Sequence, residues 1–108
     1  MKDKIKKITS HYDFSNQVMQ LSEECAELIQ AVNKYRRFRG AKNTRDEIIA
    51  SANDSNMLIQ NIAEEIADVD IMLEQMKVLL NLNPEAIEKI KEKKVNRQLA
   101  RIERERGK

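Results

Sequence analysis

Apolar side chains recur along the first third of the chain at alternating spacings of four and three residues. They are Phe14, Val18, Leu21, Cys25, Leu28, Val32 and Tyr35. This spacing keeps side chains on one face of an α-helix. The pattern therefore predicts a long amphipathic helix that begins at a polar cap, Asp13 or Ser10, and ends at Gly40.

A second apolar stripe with the same spacing predicts another long helix in the middle of the chain. Its residues are Ile59, Ile62, Ile66, Val69, Leu73, Met76 and Leu80, and it is widened by Leu58, Met72 and Leu79. A helix this apolar on one side belongs at the centre of a bundle. After it, Asn83 can cap a third helix and Pro84 can occupy its first turn, so this helix is predicted to run toward the C-terminus.

The remaining segments carry weaker patterns. Residues 40–54 lose the periodicity and read as a connection with a short helical turn around 45–50, and residues 1–12 receive no assignment. With only two glycines and one proline in 108 residues, the composition favours helices over sheets. We expect one all-α domain over 1–108, a bundle of about four helices with two central antiparallel ones, completed as a homodimer or homotetramer.

Charge is distributed unevenly along the chain. The net charge is +2, but residues 88–108 hold nine Lys or Arg against four Glu, and the basic part of the last helix is placed at 94–108. The acidic remainder argues against nucleic-acid binding. A single cysteine, no membrane-length apolar run and no signal-peptide pattern predict a cytoplasmic protein that does not enter a membrane.

Two short acidic segments repeat each other. LSEECAELI at 21–29 and IAEEIADVD at 62–70 match in residue class at seven of their positions, with an offset of 41. At 100° per residue, each segment places two acids, three residues apart, along the same side of its apolar stripe. These acids are Glu24, Glu27, Glu65 and Asp68.

These four carboxylates predict a metal site if the two helices pack antiparallel. At the border of a core they would repel and raise one another's pKa unless a cation neutralised them. Carboxylate oxygens suit Mg²⁺ or Mn²⁺, whereas a di-iron bundle needs Glu-x-x-His and His11 lies outside both motifs. A single E-x-x-E is more often a solvated charge face, which is how we interpret Glu23 and Glu64.

The third helix changes from apolar to basic along one side. The stripe of Ile87 and Ile90 continues through Lys94, Arg97 and Arg101. If the two isoleucines face the bundle, these cations point toward the acidic cluster and can bind phosphate. The alternative is a solvated basic helix end with scattered charge pairs.

Three of these segments together resemble a known family. EECAE at 23–27 and EEIAD at 64–68 resemble the E-E-x-x-E … E-x-x-D signature of the MazG-like all-α nucleoside triphosphate pyrophosphohydrolases, and KKVNR at 93–97 resembles the basic stretch that follows it. The resemblance implies Mg²⁺-dependent cleavage of an NTP or dNTP to the monophosphate and pyrophosphate, as in nucleotide-pool sanitation. By the resemblance, the metal ligands would be Glu24, Glu27, Glu65 and Asp68, and Glu27 would also orient or deprotonate the attacking water. The phosphate-binding residues would be Lys94, Arg97 and Arg101.

The chain departs from the family pattern in two ways. The 37 residues between Glu27 and Glu65 exceed the gap in compact members, so we interpret 40–54 as an inserted lid or an oligomer contact. The chain has no tryptophan to stack on a base, which leaves Tyr12 and Asn33 as candidate nucleoside contacts. A non-catalytic helical oligomerisation or interaction module remains the alternative to an enzyme.

Overall fold

The computed structural model describes residues 1–107, and all regular structure in that range is helical. The helices are α1 (Lys2–His11), α2 (Phe14–Gly40), α3 (Arg45–Ala50), α4 (Ala52–Leu79) and α5 (Pro84–Arg106). The prediction of an all-helical chain is confirmed. There are five helices rather than about four, because the unassigned first segment and the 40–54 connection each contain one.

Polar caps present in the sequence set the starts of the helices. The Asp13 carboxylate accepts a hydrogen bond from the backbone N–H of Asn16 at 2.7 Å, which begins α2 as predicted. The Asn83 side chain accepts from the backbone N–H of Glu85 at 2.9 Å, and Pro84 takes the first turn of α5. Each cap satisfies a backbone donor that the helix itself cannot pair.

The two long helices run antiparallel. Gln17, near the start of α2, accepts a hydrogen bond from Gln75, near the end of α4, at 2.9 Å. At the other end of the pair, Phe38 of α2 shares a groove with Ser55 of α4. α1 packs against α4, and the short α3 touches it, so α4 is the central helix of the chain.

α2 and α4 face each other through one edge of their apolar stripes. The most deeply buried side chains of the two helices are Gln17, Ala31, Met72 and Gln75. At 100° per residue, the two from α2 lie on the side of its stripe that carries Glu24, and the two from α4 lie on the side that carries Glu65. We call this side of the two helices the acidic edge, and it forms the contact between them.

The other side of each stripe, which we call the apolar edge, is exposed. Leu73 is 43% exposed and Ile66 is 46% exposed. The apolar edge also includes Phe14, Val32, Ile59 and Leu80, all of them exposed. The stripes that predicted the core are therefore only half covered, because no other helix within residues 1–107 packs over this side.

The last helix leaves the body of the molecule. The chain turns at Asn81, whose φ of 51° is a left-handed conformation that asparagine tolerates. α5 then makes no extended contact with any other helix. Its large apolar side chains Ile90, Val95, Leu99 and Ile102 are exposed. Among residues 1–107, α5 is therefore an amphipathic helix that packs against no other helix along its length.

The packing of one chain is therefore open. Within residues 1–107, the buried apolar side chains are Ile5, Ala31 and Met72, and none of the three is completely enclosed. The radius of gyration is 18.7 Å, against about 13 Å expected for a compact domain of this length. None of the helices in this range combines the length and apolar character needed to cross a bilayer. One copy of the chain is elongated and has a small core.

Candidate metal centre

The antiparallel packing of α2 and α4 brings the two acidic segments together. Glu24 and Glu27 come from α2, one turn apart, and Glu65 comes from α4. One carboxylate oxygen of each lies within 4.8 Å of the others. Glu24 and Glu65 are half-buried, whereas Glu27 is exposed. Three negative charges thus meet where the helices touch, with Glu27 on the solvent side.

Two oxygens of this cluster lack partners. Oε2 of Glu24 and Oε2 of Glu65 are buried and accept no hydrogen bond from any described residue. The other oxygen of Glu24 accepts from Nε2 of Gln20 at 2.7 Å. A buried polar atom left unpaired costs about 1–3 kcal/mol, and more when it is charged. Each helix therefore holds a carboxylate oxygen that a cation would satisfy.

The surroundings of Glu24 raise its pKa above the ordinary value. The hydrogen bond from Gln20 acts to lower this pKa. Partial burial and the negative charges of Glu27 and Asp68 together outweigh it. Asp68 is exposed and lies outside the group of three oxygens, but its charge acts on the same site.

The donor set fits a hydrated Mg²⁺ or Mn²⁺. All three ligand atoms are carboxylate oxygens, and no histidine or cysteine of residues 1–107 joins them. Oxygens that share one Mg²⁺ lie about 3–4 Å apart, so a 4.8 Å group is slightly too open for a closed cage. Mg²⁺ usually keeps several waters and takes only one or two carboxylates together with substrate phosphates. The openness of the cluster suits that mode of binding.

Comparison of the chain with models of known protein families, with curated proteins and with solved structures gave no match. The likeness to the MazG-like enzymes therefore rests on the two acidic segments and the basic stretch that follows them.

The predicted phosphate-binding residues lie apart from the carboxylates within one chain. All three are exposed on α5: Lys94, Arg97 and Arg101. These cations were predicted to point toward the acids if both Ile87 and Ile90 faced the bundle. Ile87 is half-buried, but Ile90 is 53% exposed, because α5 leaves the body after the turn at Asn81. The acidic and basic parts of the predicted site do not meet in a single copy.

The two candidate nucleoside contacts also lie apart. Tyr12 sits at the junction of α1 and α2 and lines a cavity between α1, α2 and α4. Asn33 is exposed on α2, about 20 Å along the helix axis from Gln20, which lines the same cavity as Tyr12. Of this pair, only Tyr12 lines a cavity near the acids.

Sequence reasoning missed three glutamines at the site. Gln20 precedes Glu24 by four residues, which is the spacing at which helical side chains meet, so its hydrogen bond could have been predicted. Gln17 and Gln75 form a buried pair between residues 58 positions apart. No local pattern indicates such a pair, although both glutamines fall on the acidic edge of their stripes.

Proposed function

We propose that this chain is a Mg²⁺-dependent nucleoside triphosphate pyrophosphohydrolase, which converts an NTP or dNTP into the monophosphate and pyrophosphate. The observation that carries the proposal is the meeting of Glu24, Glu27 and Glu65, with two buried carboxylate oxygens that have no partner. The resemblance of the acidic segments to the MazG-like signature supports it, since that signature assigns metal ligation to the same side chains.

The four acids divide into inner and outer roles. Glu24 and Glu65 would hold the cation from the helix contact, and exposed Glu27 and Asp68 would complete the site from the solvent side. When bound, Mg²⁺ lowers the pKa of a coordinated water and offsets the charge of the phosphates. In hydrolysis the bond between the bridging oxygen and the α or β phosphorus breaks, and water supplies the new oxygen. We assign to Glu27, the exposed member of the cluster, the role of orienting the attacking water and accepting its proton.

The apolar edge supports a homo-oligomer as the working form. Two antiparallel helices with one exposed apolar side make half of a four-helix bundle, which a second pair of helices completes. An identical surface on a second copy supplies that pair in a two-fold symmetric dimer. We take the dimer as the smallest complete unit, and a tetramer would pair two such dimers.

A second copy also gives the basic helix a place to bind. α5 has exposed apolar side chains beside Lys94, Arg97 and Arg101, and it lies free of its own body. The acidic cluster of the partner offers complementary charge. We assign the phosphate-binding role of these three cations to the site of the partner copy, where they and the cation would hold opposite ends of the triphosphate.

The experiment that tests the activity is a screen for pyrophosphate release. The purified protein is incubated with Mg²⁺ and each of the common ribo- and deoxyribonucleoside triphosphates, and Mg²⁺ binding is measured separately by calorimetry. We expect turnover of at least one nucleotide and saturable Mg²⁺ binding. No turnover across the panel and no Mg²⁺ binding would overturn the proposal.

A non-catalytic oligomerisation module is the second candidate, and the exposed apolar edge favours it. In that case the acids are only a polar border between helices. Replacing Glu24 and Glu65 together by glutamine would then stabilise the protein and preserve association with or without metal. A rise in the melting temperature of the unaltered chain on adding Mg²⁺ would count against this candidate, since a ligand that binds the folded state stabilises it.

A further inference from the structure

A cavity of about 510 Å³ lies between α1, α2 and α4, one helical turn from the acidic cluster. This volume is within the range of about 300–1,000 Å³ that is typical of small-molecule sites. Apolar and polar groups share its wall, among them Tyr12, Met19, Met72, Asn16 and Gln20. A mixed lining of this kind is typical of a site that holds a ligand's apolar face and orients its polar edge.

A buried amide pair fixes the shape of this cavity. Gln17 is 3% exposed, and its Nε2 lies within hydrogen-bonding distance of the backbone oxygens of Thr9, Tyr12 and Asp13, at 3.1, 2.7 and 3.3 Å. Its Oε1 accepts from Nε2 of Gln75, which is 5% exposed. These bonds tie the end of α1 to both long helices. Because satisfied buried networks rigidify their surroundings, the cavity is formed before any ligand enters.

The lining fits a planar heterocycle. Tyr12 and the two methionines offer an aromatic ring and polarizable thioethers, which pack well against flat π systems. Asn16 and Gln20 are four residues apart and lie on one face of α2. Nδ2 of Asn16 already donates to Asp13 at 3.1 Å and Nε2 of Gln20 to Glu24 at 2.7 Å, and each nitrogen has a second N–H beside its amide oxygen. Asparagine and glutamine use this pairing of a donor with an acceptor to bind the edge of a nucleobase.

Gln20 joins the cavity to the acidic cluster. It lines the cavity, and its Nε2 donates to Oε1 of Glu24 at 2.7 Å. Four residues of helix separate the two side chains by about 6 Å along the axis. A ligand whose heterocycle fills the cavity can therefore extend its phosphates to the carboxylates. We propose that this cavity is the nucleobase pocket of the substrate, an assignment that rests on the proposed pyrophosphohydrolase function.

The test uses binding without metal, so that it is independent of turnover. The isotope-labelled protein in a chelator is titrated with ribo- and deoxyribonucleoside monophosphates and, as a base-free control, with ribose 5-phosphate. We expect saturable NMR shifts at the side-chain amides of Asn16 and Gln20 with at least one base. Ribose 5-phosphate should leave these signals in place.

Two variants and a matched control localise the binding. Asn16→Ala and Met19→Ala remove exposed parts of the cavity wall and should each weaken binding of the same monophosphate about 3- to 10-fold. Gln30→Ala removes an exposed amide of the same helix outside the cavity and should leave the affinity unchanged. Equal weakening by Gln30→Ala, or equal shifts with ribose 5-phosphate, would overturn the assignment.

The outcomes also separate the pocket from the enzyme. Turnover and Mg²⁺ binding without any base-dependent shift would overturn the pocket alone. Base-dependent shifts without turnover or Mg²⁺ binding would overturn the enzyme and retain the cavity as a nucleoside site.

Discussion

In the α2–α4 pair, the acidic edge lies at the contact between the helices, whereas the apolar edge is exposed to solvent. In most amphipathic helices the apolar side is buried and the charged side is wet. Here Glu24 and Glu65 are half-buried at the helix contact, while Leu73 and Ile66 are 43% and 46% exposed. The difference shows that contacts within one chain bring the acidic cluster together, and it supports our proposal that the apolar side serves contacts between chains.

The free energies of burying the two edges support the same conclusion. Bringing a carboxylate out of water costs several kcal/mol unless a partner compensates, whereas enclosing a leucine gains about 1.5–3 kcal/mol. In a single copy without metal, the half-buried carboxylates destabilise the fold, and most of the free energy from burying the apolar edge is absent. We therefore expect both a divalent cation and a second copy to stabilise the fold, each through a different edge.

A charge placed on the apolar edge should have the largest effect. Leu73→Lys removes an apolar contact from both copies of a symmetric dimer and places two ammonium groups in the interface. Two lost leucine contacts correspond to a dissociation constant weakened by about 100-fold or more. Sedimentation equilibrium would measure this change.

Ile71→Lys is the matched control for that variant. Ile71 and Leu73 are both 43% exposed, but they lie on opposite sides of α4. The control should associate like the unaltered chain. If both variants dissociate alike, or neither does, the apolar edge is not the interface between copies.

Neutralising one acid of the cluster should have the next largest effect. Glu65→Gln keeps the shape of the side chain but removes the charge that would hold Mg²⁺. We expect the rate of pyrophosphate release to fall more than about 100-fold, since losing a residue that merely orients a ligand already costs about 10–100-fold. The variant should still fold, because it removes a like-charge repulsion.

Glu64→Gln is the control for this loss of activity. Glu64 is the adjacent residue, is exposed, and lies outside the three-oxygen group. It should keep its activity within about twofold, as expected of a solvated surface charge that binds nothing. Equal losses in the two variants would show that charge anywhere on this segment matters, and the metal site would lose its support.

The parts of the fold that the sequence predicted are those with local causes. The caps at Asp13 and Asn83, the proline at the start of α5 and the end of α2 at Gly40 all depend on residues within one turn. The angular position of Glu24 and Glu65 beside their stripes is likewise local. For this reason the acids that meet could be named before the structure was known.

The parts that could not be predicted depend on contacts distant in sequence. Periodicity gives the angle of a side chain on its own helix, but it does not say which edge of the stripe meets the neighbouring helix. That choice follows from packing such as the Gln17–Gln75 pair. The direction of α5 follows from the backbone turn at Asn81. No pattern in the sequence indicates that direction, so the separation of Arg97 from the acids could not be predicted.

Removing a cation from α5 should have a smaller effect than removing an acid. Arg97→Ala deletes one charge-assisted contact to phosphate, so we expect KM for the triphosphate to rise about 10-fold. Arg104→Ala is the control, because Arg104 is exposed on the same helix outside the predicted phosphate set. Steady-state kinetics with increasing nucleotide concentration would measure both.

Mixing variants shows which copy supplies the cation. In a mixed dimer of Arg97→Ala and Glu65→Gln, one site has both defects and the other has neither, provided α5 reaches the partner's cluster. With the nucleotide kept well below KM, where the raised KM of Arg97→Ala limits its rate, activity after subunit exchange should then recover above that of either variant alone. If each α5 serves its own chain, every site keeps one defect and no recovery occurs.

The smallest effect should be the pH dependence that Glu24 gives to the metal-free fold. Its pKa in the folded state is raised above the ordinary value of 4.5. The folded chain therefore holds more protons than the unfolded chain just above pH 4.5, and the free energy of unfolding decreases as the pH rises through the folded pKa. Glu24→Gln should remove this slope in urea unfolding measured in a chelator, whereas Glu23→Gln, which alters an exposed neighbour, should keep it.

Mg²⁺ should reverse the sign of that slope. A carboxylate must be ionised to bind the cation, so binding competes with the proton that Glu24 gains in the metal-free fold. The increase in melting temperature caused by Mg²⁺ should therefore grow with pH across the same window and shrink in Glu24→Gln. A Mg²⁺ effect that does not change with pH would place the cation away from Glu24, and the buried acids would then be a cost of the fold rather than its binding site.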